Sequence, residues 1–167
     1  FSEKEVIMRI EGKYSEFGIY ETPILGILAS SSAWATAANE CKIAAGEKPI
    51  LCFGARHIHP SVAPVMERAA KIGGADGVSC ILAAKILGII PSGTIPHAAI
   101  LIAGSTEDVA LAYDEVIPPD SPRIILVDTF KDEAQEAIDV ARILKDKLHG
   151  IRLDTPGERG GVTPELV

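Results

Sequence analysis

From residue 48 onward the chain alternates short, continuously apolar segments with longer amphipathic ones, and that alternation restricts its fold more than any other feature. Residues 49–53 (Pro-Ile-Leu-Cys-Phe) read as a short buried strand ended by Gly54. Residues 61–72 read as a helix stopped by Gly73-Gly74, 77–80 as a short strand or turn, and 81–87 as a helix stopped by Gly88. A helix over 106–116 carries Glu107 and Asp108 in its first turn, where the positive end of the helix dipole favours carboxylates. Arg123-Ile124-Ile125-Leu126-Val127-Asp128 is the strongest strand pattern. It leads into an amphipathic helix over 131–147 with the apolar stripe Ala134, Ala137, Ile138, Ala141 and Leu144. Residues 150–154 read as a further strand. Strands that alternate with helices build a mostly parallel sheet. Strands that are apolar at consecutive positions are covered on both faces.

Several of these strands end in polar residues: Arg56 after 49–53, Asp128-Thr129 after 123–127, and Asp154-Thr155 after 151–153. Catalytic groups gather at the carboxyl ends of strands in parallel barrels, and ligands bind there in doubly wound sheets. About four strand–helix units are present, whereas a closed eight-fold barrel needs roughly 200 or more residues. The 167-residue chain, which does not begin with Met, is therefore expected to be a fragment.

The N-terminal part reads differently. Residues 5–20 suggest a strand pair, since Val6, Met8 and Ile10 alternate with Ile7, Arg9 and Glu11, and Gly12 and Gly18 supply turns. Thr22-Pro23 then opens a helix, with Thr as cap and Pro in the first turn, running to about Ala45 with Gly46 as its stop. Its small residues, among them Ala29, Ser31, Ala35 and Ala38, permit close helix packing.

Charge and cysteine content narrow the function. The formal net charge of −7 argues against general nucleic-acid binding, which needs a basic face, but leaves room for one cationic cleft. No apolar run approaches the ~20 residues that span a bilayer, and the polar start, Phe1-Ser2-Glu3-Lys4-Glu5, is unlike a signal peptide. Cys41, Cys52 and Cys80 are an odd number without C-x-x-C spacing, as expected of reduced thiols in the cytoplasm.

Individual residues suggest chemistry, each with a plain alternative. His57 and His59 form an H-x-H, but no carboxylate or cysteine completes a ligand set, so no residue is assigned to a metal. Arg56 could grip a carboxylate or phosphate with its planar fork, or form a surface ion pair. His97, ending the loop Gly93-Thr94-Ile95-Pro96-His97, is either a loop histidine or a proton carrier or nucleophile in a cleft. Asp128 and Asp154 could hold sugar hydroxyls or a divalent cation, or cap the following turns. Gly157-Glu158-Arg159-Gly160-Gly161 could cradle a phosphate through free N–H groups, although it matches neither the P-loop nor the Rossmann fingerprint.

Four segments together resemble the type II phosphoribosyltransferases that act on pyridine carboxylates and amides. Glu21-Thr22-Pro23-Ile24-Leu25-Gly26-Ile27-Leu28, with Ser31 and Ala35-Thr36, is similar to the helix joining that family's N-terminal domain to its barrel. Cys52-Phe53-Gly54-Ala55-Arg56 resembles F-G-x-R, Gly93-Thr94-Ile95-Pro96-His97 resembles G-T-x-x-H, and Arg152-Leu153-Asp154-Thr155 matches R-x-D-S/T, all in the family's order. The resemblance implies an α/β fold: part of an irregular parallel barrel over 48–167, a linking helix over 22–47, and the tail of an α/β sandwich domain over 1–21.

The resemblance also implies roles. His97 and Asp154 are expected to be catalytic, with His97 matching a histidine that ATP phosphorylates in many nicotinate enzymes. Phe53, Arg56, Ser79, Thr94, Asp128 and Arg152 are expected to bind substrate, Phe53 by stacking on the pyridine ring. Ser79 matches only loosely, and the family's usual S-G-D after R-x-D is here Thr155-Pro156-Gly157-Glu158-Arg159, so the correspondence stops at Asp154. The implied reaction joins nicotinate to phosphoribosyl pyrophosphate in NAD biosynthesis, with Mg²⁺, optional ATP and a homodimer or higher homo-oligomer. A quinolinate enzyme is the nearest alternative, although the basic R-K-T and H-R segments expected for a second carboxylate are missing. A non-catalytic homologue acting as a binding module is the other alternative. Without the downstream phosphate loop, the fragment alone is expected to be inactive.

Overall fold

The computed structural model describes residues 2–130 and 132–167 and divides into two compact units, one reaching Ser92 and the other spanning Gly93–Val167.

In the first unit, helix α1 (Tyr14–Phe17) and a 3-10 turn lead into the long helix α2 (Glu21–Ala45). Strand β1 (Leu51–Cys52), helix α3 (Ala63–Ile72), strand β2 (Gly77–Val78) and helix α4 (Ile81–Leu87) follow. Strands β1 and β2 pair in parallel, Leu51 with Gly77 and Cys52 with Val78. The expected strand pair over 5–20 does not form. Val6, Ile7, Met8 and Ile10 have the right alternation but remain exposed, and no strand among the described residues lies against them. Alternation marks a strand only where a partner supplies the ladder, and a lone hairpin is at best marginal in water. Instead Tyr14 and Phe17 stack edge to face, with ring centroids 5.6 Å apart. Helix α2 starts one residue before the expected cap, so Thr22 lies inside it, and it ends as expected at Gly46, whose φ is +61°.

The small residues of α2 are used at one close approach. Asn39 Nδ2 donates to the Gly73 carbonyl at 3.2 Å, and a methyl group at Gly73 would fall on the Ala35 carbonyl oxygen. Backbone cannot yield as a flexible side chain can, so Gly73→Val is expected to destabilise the protein by about 1–3 kcal/mol, the usual cost of overpacking. A urea midpoint equal to that of the wild type would contradict this close contact.

The second unit comprises α5 (His97–Ala103), α6 (Thr106–Val116), β3 (Arg123–Leu126), α7 (Glu133–Leu144) and β4 (Leu148–Arg152). Helix α5 has no counterpart in the sequence expectations, whereas α6 takes the expected bounds. Its cap is Ser105, whose Oγ accepts from the Asp108 N–H at 3.0 Å. The helix expected over 131–147 is α7 followed by a 3-10 turn at Lys145–Lys147, with residue 131 outside the described residues. Asp132 caps α7 by accepting from the Ala134 and Gln135 N–H groups. Strands β3 and β4 pair in parallel, with Ile125 opposite Ile151 and Leu126 opposite Arg152. Ile100, Ile125, Leu126, Val127, Val140 and Leu144 form the core beneath them, each at most 3 % exposed. The α/β class with parallel strands thus holds in both units.

Candidate functional site

The ladder between β3 and β4 decides where the polar strand ends go. Val127 N–H donates to the Arg152 carbonyl at 3.2 Å, so pairing continues one step past β3. Asp128 and Thr129 therefore emerge at the carboxyl end of β3, on a cleft that Asp154, just beyond β4, also lines. His97, the first residue of α5, completes the group: its Nε2 lies 3.0 Å from Asp128 Oδ1. The histidine side chain is 37 % exposed and the aspartate side chain fully buried, so the pair links the cleft to the interior.

The cleft has a volume of about 290 Å³ and is lined by His97, Leu101, Asp128, Thr129, Asp154, Pro156 and Arg159. Two buried oxygens in it, Asp128 Oδ2 and Thr129 Oγ1, have no hydrogen-bond partner among the described residues. A buried polar atom without a partner costs free energy. Both residues line the cleft, and oxygens of this kind are suited to a ligand hydroxyl or a hard cation.

Arg159 was not singled out from the sequence, yet it is a lining residue of this cleft. Its Nη1 donates to the Asp128 carbonyl at 3.0 Å. Gly160 and Gly161, at φ +103° and +71°, follow it in a tight turn. The N–H groups of Arg159, Gly160 and Gly161 all donate within that turn, to Pro156, Gly157 and Pro156. Those three N–H groups of the segment that could cradle a phosphate are therefore occupied within the turn, and what the segment brings to the cleft is Arg159.

The other expected site residues divide between the two units. In the second, Arg152 Nη2 pairs with Asp154 Oδ2 at 2.6 Å, which orients that carboxylate. Thr94 lines a separate, mostly apolar groove with Ile95, Pro96, Val109 and Tyr113. In the first, Phe53 is 38 % exposed just before the 3-10 turn Gly54–His57, and the exposed Arg56 makes no ion pair or hydrogen bond among the described residues. The Ser79 hydroxyl donates to Glu67 Oε1 at 2.6 Å, and Cys80 N–H donates to Glu67 Oε2 at 2.6 Å. Glu67 is wholly buried, so Ser79 is locked in place with only lone pairs to offer. Burial pushes the neighbouring Cys52 thiol up, which keeps it protonated and unreactive. Among the described residues no three His, Cys, Asp or Glu side chains are grouped to hold a metal.

This geometry can be set beside known proteins. Residues 34–161 match the family model of the quinolinate phosphoribosyl transferase C-terminal domain, and residues 1–32 that of the N-terminal domain. The chain belongs to the quinolinate phosphoribosyltransferase family, the type II phosphoribosyltransferases. The crystal structure of nicotinate-nucleotide pyrophosphorylase from Pyrococcus furiosus superposes with a TM-score of 0.89 at 50 % identity, over 93 % of this chain and 40 % of that one. A nicotinate phosphoribosyltransferase from Bacillus subtilis (strain 168) is 33 % identical over 157 residues, 90 % of this chain and 31 % of its own length. One from Mycobacterium tuberculosis is 30 % identical over 162 residues, 92 % of this chain and 35 % of its own. The chain thus spans about a third of the curated type II relatives it matches. No described helix is long and apolar enough to cross a membrane.

Proposed function

We propose that this chain is part of a phosphoribosyltransferase that joins the ring nitrogen of a pyridine carboxylate to the ribose of phosphoribosyl pyrophosphate, releasing pyrophosphate and giving nicotinate mononucleotide. The observation that carries this reading is the buried Asp128 at a parallel strand end, one oxygen paired with His97 and the other left for a ligand. Membership of a phosphoribosyltransferase family supports reading that site as the place of transfer.

In such a transfer the C–O bond to pyrophosphate breaks as the pyridine nitrogen forms its bond to the same carbon, which gains oxocarbenium character. No protein nucleophile is needed at the sugar; positioning and fixed charge lower the barrier. Asp128 and Asp154 would hold ribose hydroxyls and place negative charge beside the electron-poor carbon. Arg159 would draw the anionic groups into the cleft, and Arg152 would keep Asp154 in its orientation. Asp128 Oδ2, Thr129 Oγ1 and Asp154 are hard oxygen donors that fit Mg²⁺, with substrate oxygens and water completing its shell. The cation, when bound, offsets the charge of the departing pyrophosphate.

Two acceptors differ in support. The family models are named for quinolinate, and the 50 % identical pyrophosphorylase fits that alternative better than the nicotinate acceptor expected from the motifs. The more distant curated relatives carry the nicotinate name. Quinolinate would lose its 2-carboxylate as CO₂, a proton taking its place on the ring, and nicotinate would not. Intact protein supplied with phosphoribosyl pyrophosphate, Mg²⁺ and each pyridine separates them: mononucleotide with CO₂ release from quinolinate alone identifies the first, and mononucleotide from nicotinate the second. No product from any pyridine would overturn the transferase reading in favour of a binding module.

The solvent-accessible His97 also suits an ATP-dependent step. His97→Ala is expected to abolish stimulation by ATP while leaving slower basal transfer; equal stimulation in the variant would remove His97 from such a step.

A further inference from the structure

Helix α7 begins directly beneath both strand ends, and two carboxylates of its first turn reach the segments that carry Asp128 and Asp154. Glu136, 2 % exposed, accepts the Phe130 N–H on Oε1 at 2.6 Å and the Thr106 hydroxyl on Oε2 at 2.7 Å. Glu133 Oε1 accepts the Thr155 hydroxyl at 2.6 Å, and Thr155 is 7 % exposed. Phe130 is two residues past Asp128, and Thr155 directly follows Asp154. Spaced i and i+3, the two glutamates share one face of α7. The capping Asp132 fixes where that helix starts.

We propose that Glu133 and Glu136 are positioning residues for the transfer reaction, fixing the Asp154 and Asp128 segments from a single helix turn so that the two aspartates keep a constant separation across the cleft. The proposal rests on the functional reading above and extends it to side chains that touch no substrate. A buried carboxylate is a poor way to gain stability, because well-packed apolar residues often do as well. What a carboxylate adds is direction: two acceptor oxygens that hold two separate donors. Among the described residues these two loops have no strand pairing beyond the β3–β4 ladder, and hydrogen bonds to α7 hold them.

The test uses the intact protein, with kcat and KM expressed per folded molecule. Glu136→Met, similar in volume but without an acceptor, is expected to lower kcat about 10–100-fold, the effect of misplacing reacting groups by a fraction of an ångström to 1 Å. The KM for the pyridine should change less than about twofold, since the aspartates act on the ribose side. Glu136→Gln, which still accepts from Phe130 N–H, should recover most of the activity. Glu133→Ala and Thr155→Val each remove the same hydrogen bond, so the double variant should be no worse than the poorer single one. Those two variants decide the matter if Glu136→Met does not fold. Wild-type kcat in folded Glu136→Met, Glu136→Gln as impaired as Glu136→Met, or unaltered kcat in both Glu133→Ala and Thr155→Val would overturn the proposal while leaving the transferase reading intact. An inactive wild type would remove both.

Discussion

Asp128→Ala is expected to lower kcat/KM of the intact protein by about 100–1,000-fold, the range seen when one preorganised electrostatic group is removed from an active site. The same change should leave thermal stability within a few degrees of the wild type, or raise it. The two effects differ in sign because of what the carboxylate lacks. Its Oδ2 is buried with no partner among the described residues, so the ligand-free fold carries a cost that alanine relieves. The half-exposed His97 can turn to water once its partner is gone. Asp128→Asn keeps the shape but not the charge and should remain strongly impaired. Stability and activity that fall together in both variants would mean that Asp128 serves the fold rather than the reaction.

Arg123→Met is expected to be the most damaging single change to the second unit, and to act on stability alone. The Arg123 guanidinium is nearly buried at the start of β3, where Nε donates to Asp114 Oδ1 at 3.0 Å. Its Nη1 donates to the carbonyls of Pro118, Pro119 and Ser121 at 3.0, 3.0 and 2.7 Å. One side chain therefore closes the loop between α6 and β3. Its loss should cost about 2–4 kcal/mol, since each stranded acceptor costs about 1–3 kcal/mol if water cannot reach it.

The effect should depend on pH. The Lys147 ammonium and then the Arg123 guanidinium hold the Asp114 carboxyl below its usual range. A lowered folded value stabilises above the ordinary carboxylate value of about 3.9 and is lost as pH falls through the folded value. The gap in melting temperature between wild type and Arg123→Met should therefore begin to narrow as pH falls below about 3.9, the ordinary carboxylate value, and go on narrowing toward the lowered folded value. A gap unchanged between pH 7 and pH 3 would show that the carbonyl contacts alone matter.

Local patterns in the sequence reached some of this architecture and none of its pairings. The apolar run of β3 and the stripe of α7 are periodic within a few residues, so both elements could be read directly. The strand expected at 5–20 had the same kind of pattern but depends on a partner that no local signal reports. His97 and Asp128 could each be nominated from a strand or loop end. Their 3.0 Å contact joins residues 31 apart and follows only from the shared core that Ile100 of α5 and Ile125 of β3 enter. In the sequence Arg159 figures only as part of a possible backbone cradle, and its side-chain role depends on the turn at Gly160-Gly161, both at positive φ, and on its hydrogen bond to the Asp128 carbonyl. Nothing in the local sequence singles out Glu133 and Glu136, because the donors they hold lie on other segments of the chain.

A crystal structure of the intact protein with nicotinate mononucleotide tests the account most directly. The ribose of the product should lie in the cleft between His97, Asp128, Asp154 and Arg159, with a hydroxyl or a cation on Asp128 Oδ2 and Thr129 Oγ1. Nucleotide bound elsewhere, with those two oxygens still without partners, would contradict the placement of the reaction at these strand ends.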